Sequence, residues 1–151
     1  MNNFICLDTS VLVKLLVEEE DTQKALSLME DIVLNGKLIV LPPFAWAEVG
    51  SVLRKMQRRN ELTADEAEEL WVEFSNFSGI EYLSDDKVAE RAWKISRHFD
   101  MPTLYDSAFL AVAEAVTERT GEICEYWTAD EKLINVLGNR MEYVRYLKNF
   151  V

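Results

Sequence analysis

Histidine is almost missing from this chain: His98 is the single copy in 151 residues. Imidazole catalysis therefore has one candidate, and no acidic motif frames it, so His98 reads as a surface or helix-end residue. Cysteine is nearly as scarce. Cys6 and Cys124 both lie in apolar, strand-like runs, too few for a thiolate metal site, and read as buried free thiols of a cytoplasmic protein rather than a disulfide. With 5 glycines, neither G-x-x-x-x-G-K-[ST] nor G-x-G-x-x-G occurs, which removes the glycine-loop route to nucleotide binding. No apolar run approaches the roughly 20 residues that span a bilayer, so no membrane is expected as a partner. Asp8 and Lys14 interrupt the first apolar stretch, which argues for a strand rather than a signal peptide. Positive charge is also in short supply: 16 Lys and Arg face 27 Asp and Glu, for a net charge of -11. That argues against a general nucleic-acid coat protein, whose affinity comes from neutralising phosphates. It leaves room for an enzyme that gathers acids around cations, or for a protein with a basic partner.

What is present is a core. Hydrophobic residues make up 49% of the chain, and the length suits a single domain over residues 1–151. There is no repeat, low-complexity tract or linker. Strand-like and helix-like segments alternate. Strands are expected at 3–7, 38–41, 80–83, 123–127 and 143–147. Helices are expected at 10–19, 21–35, 44–59, from the capping box Thr63-Ala-Asp-Glu66 to about 77, and at 85–99, 104–120 and 129–137. This alternation predicts an α/β fold, a parallel sheet with helices on both faces. In such folds ligands bind beyond the carboxyl ends of the strands.

Four carboxylates are expected at that edge. Asp8 follows the first strand. Glu48 lies early in the helix after the second. Asp106 lies in the first turn of the helix near Leu104, and Asp130 follows the fourth strand. Glu48 precedes Val52 by one helical turn and so borders the core face. Asp106 precedes Phe109, Leu110 and Ala113 by three, four and seven residues, in a slot where the pattern wants an apolar side chain. A carboxylate there costs several kcal/mol in order of magnitude unless a helix end, a base or a cation compensates it. Gathered like charges raise one another's pKa, and a hard divalent cation on oxygen ligands relieves that repulsion. Mg²⁺ or Mn²⁺ suits such a site better than Zn²⁺, because no His or Cys accompanies the acids. The plainer reading is helix capping, by Asp8 and by Thr128-Ala-Asp-Glu131.

Taken in order, LDTSVL, PPFAWAEV, LYDSAFLAVAE and YWTADEKL resemble the PIN-domain ribonucleases, and within them the VapC-type toxins of toxin–antitoxin pairs. The resemblance spans nearly the whole chain. It implies a three-layer α/β/α sandwich and an endoribonuclease that uses Mg²⁺ or Mn²⁺. It places Asp8, Glu48, Asp106 and Asp130 as the catalytic, metal-holding quartet, and Ser10 and Thr128 as supporting hydroxyls. It further implies an RNA substrate, an antitoxin partner received by the early helices, and a homodimer. Two other readings stand beside it: a nuclease of this fold in RNA maturation or on structured DNA, and a catalytically silent PIN-like binding module. A haloacid-dehalogenase-like phosphatase would want a second Asp two residues after Asp8, where Ser10 stands.

Among the remaining residues, Arg54, Lys55, Arg58 and Arg59 cluster at a helix C-terminus. They either complement that terminus or make a local RNA-phosphate patch. Lys87, Arg91, Lys94 and Arg97 read as a solvated helix face. The first cluster does not interleave aromatics as a base-stacking platform would. Trp46, Trp71, Trp93 and Trp127 read as core or interface anchors, with Trp46 a candidate to line a partner groove. Leu12, Leu15, Leu16, Ala25, Leu26, Leu28 and Met29 read mainly as core.

Overall fold

The computed structural model describes residues 3–151. Among them five strands form one sheet: β1 (Phe4–Leu7), β2 (Leu38–Leu41), β3 (Ile80–Tyr82), β4 (Glu125–Thr128) and β5 (Val144–Tyr146). Their spatial order is β3-β2-β1-β4-β5, and every neighbouring pair is parallel. The central strand β1 is buried on both faces, with Ile5, Cys6 and Leu7 at no more than 1% exposure. This is why its sequence is a continuous apolar run rather than an alternation.

Seven helices connect the strands: α1 (Thr9–Leu16), α2 (Thr22–Leu34), α3 (Ala45–Arg58), α4 (Ala64–Ser75), α5 (Asp86–His98), α6 (Tyr105–Thr120) and α7 (Glu131–Leu137). α6 packs along β1, β2 and β4, and α5 lies against α6. Phe109, Leu110, Ala111, Val112 and Ala113 are all buried, since a helix held between a sheet and another helix needs apolar residues around most of its circumference. α1 lies on β1 and β4, with α2 and α3 against it. The result is the expected three-layer α/β/α sandwich. Because all the strands run in one direction, their carboxyl ends share one edge. There the Asp8 N–H donates to the Trp127 carbonyl at 2.9 Å, tying β1 to β4.

β2 falls where the sequence places it, and both arms of the Thr63–Glu66 capping box form. Some expectations need correction. The first helix stops at Leu16 rather than Glu19, because Val17 turns extended and Thr22 Oγ1 takes the Glu19 N–H. Of the tryptophans read as core or interface anchors, Trp46 and Trp93 are 52% and 55% exposed, which rules out the core alternative for these two. Arg91 is not merely solvated, since its guanidinium reaches across to Glu114 and Glu118 of α6. Leu26 also leaves the core face it was assigned to, whereas Leu12, Ala25 and Leu28 are buried in it. Cys6 and Cys124 are buried free thiols, and His98 ends α5 on the surface. No helix among the described residues is long and apolar enough to cross a membrane.

Candidate functional site

Asp8 is the first residue beyond β1 and the N-cap of α1. Its Oδ2 accepts from Ser10 Oγ at 2.5 Å, from the Ser10 N–H at 3.4 Å and from Thr128 Oγ1 at 3.1 Å. The two expected supporting hydroxyls therefore both reach Asp8. Ser10 Oγ also accepts the Ala129 N–H at 3.0 Å, which locks the loop after β4 to the start of α1. That loop carries Asp130, whose N–H donates to Thr128 Oγ1 and whose Oδ1 caps α7 through the N–H groups of Lys132 and Leu133.

Glu48 comes from the first turn of α3 and is held at Oε1 by Thr9 Oγ1 at 2.8 Å. This contact is a feature of the candidate site that sequence reasoning missed. Nothing local to Thr9 signals a partner in another helix. Asp106 sits in the first turn of α6, and neither of its oxygens accepts a hydrogen bond from the described residues.

The pattern across the quartet is consistent. Asp8, Glu48 and Asp130 each have one oxygen fixed by protein donors, while Asp8 Oδ1, Glu48 Oε2 and Asp130 Oδ2 accept no hydrogen bond from the described residues. No Lys or Arg among the described residues is ion-paired with any of the four. The electrostatic consequence shows at Asp106. Burial, then the charges of Asp8, Asp130 and Glu48, raise its pKa from 3.8 to about 6. Glu48 is raised by burial and by Asp8 against the opposing hydrogen bond from Thr9.

Tyr126 was also missed. It pairs with Cys6 in the β1–β4 ladder, two residues before Thr128 and so on the same face. Its ring is fully buried and its hydroxyl has no hydrogen-bond partner among the described residues. Burial, and next the charge of nearby Asp8, raise the hydroxyl's pKa. The ring of Phe44 meets Tyr105 and Phe109 edge-on at 5.2 and 5.8 Å. Phe44, Tyr105, Thr9, Glu48 and Lys55 share the lining of a depression of about 530 Å³.

The donor set fits a hard divalent cation: carboxylate oxygens, no imidazole or thiolate, and excess negative charge with no protein base to neutralise it. Among the described residues no three His, Cys, Asp or Glu side chains stand close enough together to hold a metal ion as they are placed. The fixed oxygens orient Asp8, Glu48 and Asp130, whereas both oxygens of Asp106 are unengaged among the described residues. Of the basic cluster, Lys55 and Arg58 lie in the last turn of α3, Arg54 just before them, and Arg59 is its C-cap.

A solved structure described as a toxin-antitoxin complex from Klebsiella pneumoniae superposes with a TM-score of 0.61, covering 95% of this chain and 97% of that one at 18% identity. It shares the fold. No curated protein matches the sequence significantly. The sequence itself matches the PIN domain over residues 5–135, nearly the whole sandwich from β1 into α7. The chain belongs to the PIN domain family.

Proposed function

We propose that this chain is a divalent-metal-dependent endoribonuclease that hydrolyses RNA phosphodiester bonds, and that it is the toxin of a toxin–antitoxin pair. One observation carries the catalytic reading: the charges of Asp8, Asp130 and Glu48, from three other segments, all act on Asp106, and none of the four acids is ion-paired with Lys or Arg among the described residues. PIN domains are in general nucleases that use divalent ions. Mg²⁺ or Mn²⁺ would be held here by Asp8 and Asp106, with Glu48 and Asp130 binding directly or through water. Such an ion, when bound, lowers the pKa of water and stabilises charge growing on a phosphate.

The chain's own residues supply the rest. Ser10 and Thr128 keep Asp8 oriented, Thr9 keeps Glu48 turned inward, and the α7 cap keeps Asp130 at the edge. Arg54, Lys55, Arg58 and Arg59 offer the nearby positive charge that holds an RNA backbone beside an otherwise repelling surface. The toxin assignment is supported by the fold shared with a structure described as a toxin-antitoxin complex. With it come an antitoxin partner, a cytoplasmic location and a homodimer.

The test is cleavage of total RNA in Mg²⁺, Mn²⁺ or EDTA by wild type and Asp8→Asn. Metal-dependent cleavage that Asp8→Asn lowers at least a hundredfold is expected. Cleavage that persists in EDTA or in Asp8→Asn refutes the mechanism. A second reading has one observation in its favour: Asp8 and Asp130 both cap helices, as a catalytically silent PIN-like module would require. Mn²⁺ titration separates the two. A ligand that binds only the folded state raises the melting temperature, so a flat titration favours the silent module.

A further inference from the structure

The depression that holds Glu48 and Thr9 does not end at α3. Ala47, Ser51 and Lys55 recur at four-residue spacing along that helix, forming a ridge. They line both the depression beside Glu48 and a second groove, of about 840 Å³, between α3 and α4. Two of the three ridge residues are small, so the wall between the cavities is low. Beyond the ridge the groove is floored by Trp46 and Trp71. These same two rings line a further depression of about 410 Å³ that reaches Tyr82 at the edge of the sheet. Gly50 lets Trp71 lie close: a Cβ there would stand 2.9 Å from its ring. Trp46 and Tyr82 are 52% and 44% exposed.

One wall of this track is cationic. Arg54, Lys55 and Arg58 line the groove. In a chain with 27 acidic residues, none of the three forms an ion pair among the described residues; Arg54 donates only to Gln57. The opposite wall carries Asp65 and Glu68. The charge is therefore asymmetric, positive along α3 and negative along α4. Aromatic rings lie between these walls, although the sequence around the basic cluster contains none. The fold supplies Trp46 from two turns upstream and Trp71 from another helix.

We infer that this track, which rests on the nuclease reading above, holds the single-stranded segment of RNA flanking the scissile phosphate. Phosphates follow Lys55, Arg54 and Arg58, and bases stack on Trp46 and Trp71. Stacking on an exposed ring tolerates any base, so the track sets strand polarity and single-strandedness rather than sequence. Asp65 and Glu68 repel a second backbone, which keeps a duplex out.

The probe is a fluorescein-labelled twelve-nucleotide single-stranded RNA of mixed sequence. Its anisotropy is measured with the Asp8→Asn protein in EDTA, so that no cleavage intervenes. Adding Trp46→Ala is expected to raise Kd by roughly 5- to 100-fold. Adding Lys55→Ala and Arg58→Ala is expected to weaken binding and to reduce the log–log salt slope by about 1.4, the value for two lost phosphate contacts on a single strand. Both sites are on the surface, and circular dichroism melts check that the variants fold. In the cleavage-competent protein the same substitutions are expected to raise KM more than they lower kcat.

Unchanged affinity and salt slope in both variants, or no binding by the Asp8→Asn parent, overturns the assignment and leaves the groove to a protein partner. The two readings fail separately. A wild type that cleaves with KM indifferent to Trp46 sinks the track alone. A chain that never cleaves yet binds RNA through Trp46 sinks only the catalytic reading.

Discussion

Replacing Asp106 by Asn removes one negative charge from a place where three other carboxylates already repel it. Its pKa is raised from 3.8 to about 6, chiefly by burial and then by Asp8, Asp130 and Glu48. The folded chain thus holds this proton to a higher pH than the unfolded chain does. Between about pH 4 and 6 folding takes up a proton, so the stability of the metal-free protein falls as pH rises through that window. The penalty is fully developed above about pH 6. A displacement of this size corresponds to about 3 kcal/mol at roughly 1.4 kcal/mol per pH unit. Asp106 is only half-buried, and solvent screening reduces the figure to about 1–2 kcal/mol. Asp106→Asn keeps the shape and removes the charge. In EDTA at pH 7.5 it is expected to melt about 2–8 °C above wild type, given about 2–4 °C per kcal/mol for a chain of this size. At pH 4 the difference is expected to vanish, and comparing the two proteins cancels other titrating groups. With saturating Mn²⁺ the order is expected to reverse, because the wild type keeps the full ligand set. A variant that melts below wild type at pH 7.5 in EDTA, or a difference that does not shrink on acidification, refutes the claim that the acids strain one another.

Tyr126→Phe deletes a buried hydroxyl that has no hydrogen-bond partner among the described residues. Urea denaturation is expected to find the variant as stable as wild type, or up to about 1–3 kcal/mol more so; a loss above about 1 kcal/mol would show that the hydroxyl is engaged. Thr63→Ala removes the side-chain arm of the α4 capping box, in which Thr63 Oγ1 accepts the Glu66 N–H, and is expected to cost about 1 kcal/mol in the same experiment.

Much of this architecture was legible because it is written locally. LIVL is bounded by Gly36 and by Pro42-Pro43, and β2 occupies those four residues. Thr63 and Glu66 specify their own helix start. The strand-edge position of the acids followed from alternation alone, since parallel strands put every strand-to-helix turn on one side. Illegible features depend on distant partners. The sequence ICEYW suggests a strand from Ile123, yet β4 begins at Glu125, opposite Ile5. Upstream, the Cys124 N–H turns instead to Thr117 Oγ1 at 2.9 Å. Glu125, in an otherwise apolar strand, is stabilised by Arg145 and by the Trp127 indole N–H. The Thr9–Glu48 bond spans 39 positions, and the aromatic floor beside Arg54 and Lys55 comes partly from another helix. No window of neighbouring residues contains such facts.

Asp8 and Asp130 each commit one oxygen to scaffolding and leave the other unengaged among the described residues, whereas Asp106 scaffolds nothing there and Glu48 only receives Thr9. Selection for foldability alone would therefore conserve the first pair even in a descendant that had abandoned chemistry. In such a lineage Glu48 and Asp106 would drift first, and their survival is the better mark of a working enzyme.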